Sequence, residues 1–166
     1  DVSALAHDPQ ALALVAAAGC PVVLMHAQGT PQHMQDAPHY DDCLRDVFDW
    51  LEARIAAVIA GGVARDRIIV DPGIGFGKTI AHNLELLRGL GMLHGLGCPI
   101  LLGVSRKKLI GVIDGDVEAH DRLGGSLTLA LAGLDQGVQL LRVHDVPATV
   151  QAVRVWQALR ASGGQG

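Results

Sequence analysis

RIIVDPGIGFGKT, residues 67–79, is the stretch on which the reading of this chain turns. It opens with a short apolar run, ends that run on a carboxylate, Asp71, and passes through Pro72 into three glycines before Thr79. A short continuous apolar run is what a strand shows when it is covered on both faces, as in a parallel sheet packed between helices. Similar runs lie on either side of it: PVVLMH (21–26), PILLGVS (99–105) and QLLRVHD (139–145). Between the runs the pattern becomes helical. Leu44, Val47, Phe48, Leu51, Ile55, Val58 and Ile59 recur at helical spacing from near Asp41 to Ala60, before Gly61-Gly62. Asp8-Pro9 reads as a helix N-cap followed by proline at the first helical position, with Gly19 placed to end that helix. Further helices are predicted near 81–94, 106–113, 119–135 and 147–161. Strand alternating with helix predicts the α/β class, repeated βα units around a parallel sheet. The likeness of AAAGCPVVLMH (16–26) and GLGCPILLGVS (95–105) suggests one αβ unit used twice.

Composition narrows the function classes. The 166 residues carry thirteen Lys+Arg against seventeen Asp+Glu, so no broad basic surface is available to neutralise the phosphates of a nucleic acid. A small anion held locally is still permitted. Three cysteines, an odd number without metal-ligand spacing, read as reduced and structural. No apolar run approaches the roughly twenty residues of a membrane span, and DVSALAHDPQ has neither the basic region nor the apolar core of a signal peptide. A cytoplasmic protein is expected. The terminal SGGQG, 162–166, reads as a flexible tail.

Chemistry in a parallel α/β structure collects where the strands end, because the loops that follow converge on one face. The four runs end in Met25-His26, Asp71-Pro72, Ser105-Arg106-Lys107 and Arg142-Val143-His144-Asp145, whereas their beginnings carry little convergent chemistry. Gly77-Lys78-Thr79 matches the last positions of a phosphate-binding P-loop, but Pro72 stands where the first glycine is required and removes an N–H. The dinucleotide fingerprint fails as well, since its third glycine would fall on Lys78. A structural alternative is a glycine-rich turn whose Asp71 merely caps a helix. In GVSRKKLIG, 103–111, a hydroxyl and three cations gather at a strand end, a local charge excess that favours an anionic or electron-rich ligand; solvated cations at a helix start, where the dipole disfavours them, are the alternative. In RVHDV, 142–146, strand periodicity would put Arg142 and His144 on one face, able to grip a phosphate together; a histidine satisfied within the core is the alternative. His26 is equally readable as a ligand-orienting residue or as one bonded to a neighbouring loop, and Met25 and Phe76 as walls of an aromatic pocket or as core. The remaining histidines lack ligand spacing, so no zinc site is expected.

DVSA (1–4), PVVLMHAQGTPQHMQ (21–35), DPGIGFGK (71–78), LLGVSRKKLIG (101–111) and RVHDV (142–146) follow one another in the order of the dihydropteroate synthase motifs, and the chain resembles the C-terminal half of that family. The wider pterin-binding group, including pterin-dependent methyltransferases, shares the strand-end aspartate; the SRK and RVHD motifs together favour the synthase. The resemblance implies a (β/α)₈ TIM barrel, present as roughly its second half, strands 5–8 with the end of strand 4, over residues 1–161. It implies condensation of 6-hydroxymethyl-7,8-dihydropterin diphosphate with para-aminobenzoate to give dihydropteroate and diphosphate, at a site that sulfonamides also occupy. Asp71 would read the pterin edge, Lys107 would donate to the pterin carbonyl and ring nitrogen, and Arg142 would stack on the pterin and, with His144, hold the diphosphate. Ser105, Gly75 and Phe76 would border the aminobenzoate channel, with Met25 and Val143 completing the substrate-binding set. Mg²⁺ would be bound through the substrate diphosphate and a residue upstream of this chain, none of whose own residues is expected to be a metal ligand. A barrel usually takes about 250 residues, so the expectation is either a part of a longer chain or a half-barrel pairing with a second copy, as a homodimer. A catalytically incomplete fragment that only self-associates is the alternative, and the isolated chain is expected to be inactive.

Overall fold

The computed structural model describes residues 1–29, 33–34 and 36–161; the tail expected over 162–166 lies outside them. The elements run α1 (Ala11–Ala18), β1 (Val22–Met25), α2 (Cys43–Ala60), β2 (Ile68–Asp71), α3 (Ile80–Arg88), β3 (Leu101–Leu102), α4 (Lys108–Ile113), α5 (Leu123–Asp135), β4 (Leu140–Leu141) and α6 (Val146–Ala161), with short 3₁₀ turns at Arg65–Arg67, Leu90–Leu96 and Ala119–Asp121. The α/β class is as predicted. β1 pairs with β2 in parallel, from Val22↔Ile68 to Met25↔Asp71. β3 pairs with β4 in parallel over Leu101↔Leu140 and Leu102↔Leu141. A parallel bridge, Val70↔Ile100, joins the pairs, so the strands lie in the order β1-β2-β3-β4 and their carboxyl ends share one rim.

Local chemistry explains where the elements begin and end. α2 starts at Asp42, whose side chain accepts from Arg45 N, and α1 ends at Gly19 in the left-handed region. The start of α1 departs from expectation. Asp8 Oδ1 accepts from Gln10 N at 2.8 Å, closing a turn, and the helix begins beyond it rather than at Asp8-Pro9. The helix predicted over 81–94 breaks at Gly89, against which Leu44 packs so closely that a Cβ would stand 2.2 Å from its Cδ2. The strands predicted over 99–105 and 139–145 shrink to two-residue ladders, because Ser105 and His144 bond to each other's loops instead of extending the sheet.

Leu24, Ile68, Val70, Ile100 and Leu102 are fully buried from the strands, and Val47, Leu51 and Val58 close over them from α2. Each such side chain contributes about 1.5–3 kcal/mol on burial. The coverage is uneven. Val146, Val150, Val155 and Leu159 of α6 are exposed, and a groove of about 740 Å³ runs between β4 and α6, lined by Leu134, Val138, Leu141, Val150 and Val153. Among the described residues no helix is long and apolar enough to cross a membrane.

Candidate functional site

Parallel register places Met25 directly beside Asp71 at the rim. Asp71 is buried, and its Oδ1 accepts from Gly73 N at 2.7 Å. Burial pushes its carboxyl above the usual carboxylate range, while the Gly73 N–H, Lys107 and Lys78 pull the other way. It caps no helix; Thr79 does so, accepting from His82 N while His82 Nδ1 accepts from Thr79 N. The carboxylate is thus free of a structural capping role and lies in the field of two lysines at the end of a central strand.

The glycine loop owes its shape to groups that the sequence reading left aside. Lys78, buried, directs Nζ inward to Gly73 O and Phe76 O at 3.0 Å each and to His26 Nδ1 at 2.8 Å. These acceptors, with His26 O at 3.4 Å, favour the ammonium form, against a burial that draws its pKa down to about 7. Toward the ammonium form His26 Nδ1 is an acceptor, and burial followed by the charge of Lys78 takes the His26 pKa down to about 3. His26 is therefore neutral and bonded to the neighbouring loop, the second of its two readings; its ring meets Trp50 edge-on at 5.0 Å. Asn83 accepts from Gly75 N at 2.7 Å and donates to Thr79 O at 2.7 Å, and Tyr40 OH donates to Gly77 O at 2.8 Å. An inward lysine also removes the P-loop reading, which needs that side chain facing a phosphate. Gly73, at φ +67°, lies so close to His26 O that a Cβ would stand 1.8 Å from it, so no other residue fits that turn.

Of the three cations in SRKK, Lys107 faces Asp71. Its Nζ stands 4.1 Å from the Phe76 ring centroid, over the face. Gly75 makes room for it, since a Cβ there would meet Lys107 Cδ at 3.3 Å. Burial lowers the Lys107 pKa, Asp71 raises it and Arg142 lowers it again, so these three groups share one field. Arg106 is turned away to Asp145, and Lys108 is exposed.

Arg142 and His144 lie past the end of β4 rather than within a strand, yet both are exposed on either side of a half-buried Val143. Val143 is among the residues that line the groove toward α6. Ser105 is buried; its Oγ accepts from His144 N at 3.2 Å and lies 2.9 Å from His144 Nδ1. Both nitrogens of His144 that face this loop, main-chain N and ring Nδ1, thus converge on one hydroxyl, which leaves ring Nε2 as the edge turned from Ser105. Met25 and Phe76 open on a cleft of about 520 Å³ with Val2, Met34 and Trp50. One rim therefore joins a buried carboxylate, a lysine over an aromatic ring, a hydroxyl–imidazole pair and an apolar cleft. Such a rim can read a polar planar edge on one side and an anion on the other.

Fold and rim define a parallel α/β ligand-binding protein with its site at the strand carboxyl ends. Residues 1–144 match the family of pterin binding enzymes, and the chain belongs to that family. Similar relatives are the dihydropteroate synthases of Neisseria meningitidis serogroup B, 46% identical over 162 residues and 96% of this chain, and of Escherichia coli, 44% identical over 151 residues and 91% of it. The chain spans about half the length of these curated relatives, 57% and 53%. Among solved structures, Yersinia pestis dihydropteroate synthase in complex with a sulfonamide drug matches with a TM-score of 0.93 and 41% identity, over 98% of this chain and 58% of that one. The Xanthomonas albilineans enzyme in complex with 7,8-dihydropteroate matches with a TM-score of 0.89 and 45% identity, over 97% and 58%.

Proposed function

We propose that this chain carries the pterin and diphosphate side of a dihydropteroate synthase, which joins 6-hydroxymethyl-7,8-dihydropterin diphosphate to para-aminobenzoate and releases diphosphate. The observation that carries the proposal is the buried Asp71 facing Lys107, with that lysine laid over Phe76. The pterin's amino group and ring N–H form a guanidine-like edge that a carboxylate reads with two hydrogen bonds. Lys107 donates to the adjoining carbonyl and ring nitrogen. Arg142 lies over the pterin and, with the His144 imidazole, holds the diphosphate. As the pterin methylene carbon leaves its diphosphate oxygen and joins the aminobenzoate nitrogen, negative charge grows on the departing group. Cations already in place there stabilise that charge more in the transition state than before it. Ser105, Gly75 and Phe76 border the aminobenzoate, Met25 walls the pterin, and Val143 completes the set.

Mg²⁺ is part of this proposal, a hard cation for which the oxygens of the substrate diphosphate are suitable ligands. We assign it to that diphosphate and a residue beyond those of this chain. We read the four strands as the second half of a (β/α)₈ barrel, one domain over 1–161, supported by the likeness to 58% of the Yersinia pestis structure and by the groove beside β4 and α6. Homodimerisation and a cytoplasmic setting belong to the same proposal; free Cys20, Cys43 and Cys98 suit a reducing compartment.

Calorimetric titration with the pterin diphosphate, with and without para-aminobenzoate and Mg²⁺, beside Asp71→Ala, tests the reading. Binding lost on substitution supports it, and binding indifferent to Asp71 ends it.

A further inference from the structure

Arg106 adopts φ +58°, a left-handed conformation that a glycine takes freely and an arginine does not. Its main-chain N–H and C=O and two of its guanidinium nitrogens are taken up by other segments of the chain. The guanidinium grips Asp145 with two parallel bonds, Nε to Oδ2 at 3.0 Å and Nη2 to Oδ1 at 2.6 Å. Arg106 N donates to Ser126 Oγ at 2.9 Å, and Arg106 O accepts from Arg122 Nη1 at 3.0 Å. Ser126, buried within α5, is itself fixed by donating to Arg122 O at 2.6 Å. Behind the partner carboxylate, Asp145 O accepts from both Thr149 N and Thr149 Oγ1, which ties that loop to the start of α6.

The neighbours of Arg106 on either side are the two residues of this loop that face the rim: Ser105 bonds His144, and Lys107 lies over Phe76. We infer that the Arg106–Asp145 pair, seated on Ser126 and Arg122, is a positioning device that sets the β3–α4 loop in register with the β4–α6 loop and thereby aims Ser105, Lys107 and His144. The fork is suited to this task because two parallel bonds fix an angle as well as a distance, which a single lysine contact cannot do. The left-handed kink turns the arginine outward while its two neighbours turn in. The inference deepens the reading of those three residues as the polar wall of a pterin diphosphate site, but the register itself is a property of the chain without ligand.

Arg106→Gly separates positioning from plain stability, because glycine takes φ +58° without strain while the fork is lost. Three quantities are compared in the full chain among wild type, Arg106→Gly, Arg106→Lys and Asp145→Asn. They are the melting temperature, the ¹⁵N signals of the His144 imidazole without ligand, and the affinity for inorganic diphosphate. The expected result is a melting temperature for Arg106→Gly no lower than wild type. With it His144 loses the hydrogen-bonded Nδ1 signature, and diphosphate affinity falls on the order of tenfold, the scale of a small displacement in a positioned site. Arg106→Lys and Asp145→Asn show the same loss of signature, and the Arg106→Gly/Asp145→Asn double variant is no worse than either single one. An unchanged His144 signal in Arg106→Gly and Asp145→Asn overturns the inference, as do losses that add in the double variant. Should wild type itself ignore both diphosphate and pterin diphosphate, the site reading fails, while the His144 signal still decides the register. Should Arg106→Gly not fold, Asp145→Asn supplies the same measurement.

Discussion

The two halves of the sheet are built differently. β1 and β2 pair over four residues each, and the loop between β2 and α3 is held from within by buried Lys78 and Asn83. β3 and β4 pair over two, and their loops are joined by the partly exposed Arg106–Asp145 pair and by the bond of buried Ser105 to His144. The carboxylate of the site sits in the first half and most of its cations in the second. Asp71 is therefore placed by packing and His144 by bonds between loops, so the two sides of the rim should respond differently to perturbation.

The comparison breaks most severely at Gly73. Gly73→Ala should cost about 4 kcal/mol or prevent folding, since the new Cβ meets main chain at a positive φ; urea unfolding measures it. Next, Leu24→Ala in β1, where the side chain is fully buried, should cost about 3 kcal/mol, against about 1 kcal/mol for half-buried Leu141→Ala in β4. Equal losses would mean that the second half is as tightly packed as the first. Lys78→Met should cost about 2 kcal/mol, because carbonyls of Gly73 and Phe76 lose their donor while the desolvation of a charge is relieved. It should also change the pH dependence. With a folded pKa of about 7 against 10.5 unfolded, the unfolded chain holds a proton that the folded chain has shed, so Lys78 makes stability rise with pH above about 7. From there to about pH 8.5, below the ordinary cysteine range, the wild-type slope should exceed that of Lys78→Met by about 1 kcal/mol per pH unit. Equal slopes would mean that Lys78 keeps its proton throughout. The smallest effect is a gain: Asp71→Asn should stabilise by about 1 kcal/mol at neutral pH. A raised carboxyl pKa means that stability is lost as pH rises through it, and an amide escapes that loss. The same variant should lose pterin binding, so a stabilised, binding-competent Asp71→Asn would remove the carboxylate from its assigned role.

Much of this was legible in the sequence because strands and glycines carry local signals. The four strand positions follow from apolar runs, and Asp71, Ser105 and Lys107 follow from their place at the ends of those runs. Gly75 was legible as room for a ligand; what fills that room here is the Lys107 side chain. Less legible were the strand lengths near Arg142 and His144, where periodicity suggested a continuing strand and the loops bonded to each other instead. The outward turn of Arg106 had no sequence signal, since a left-handed arginine looks like any other. Lys78 was judged by a motif it does not serve; a buried asparagine at 83 and a tyrosine at 40 were the missed signs that the loop had interior partners.

The sequence by itself determined the α/β class, the order of the strands along the chain, and the rim on which polar residues gather, because burial patterns and turn residues act over a few positions. Tertiary structure alone decided which of the lysines and arginines face that rim. A side chain's direction depends on acceptors supplied by other elements: His26 for Lys78, Asp145 for Arg106, and the Phe76 face for Lys107.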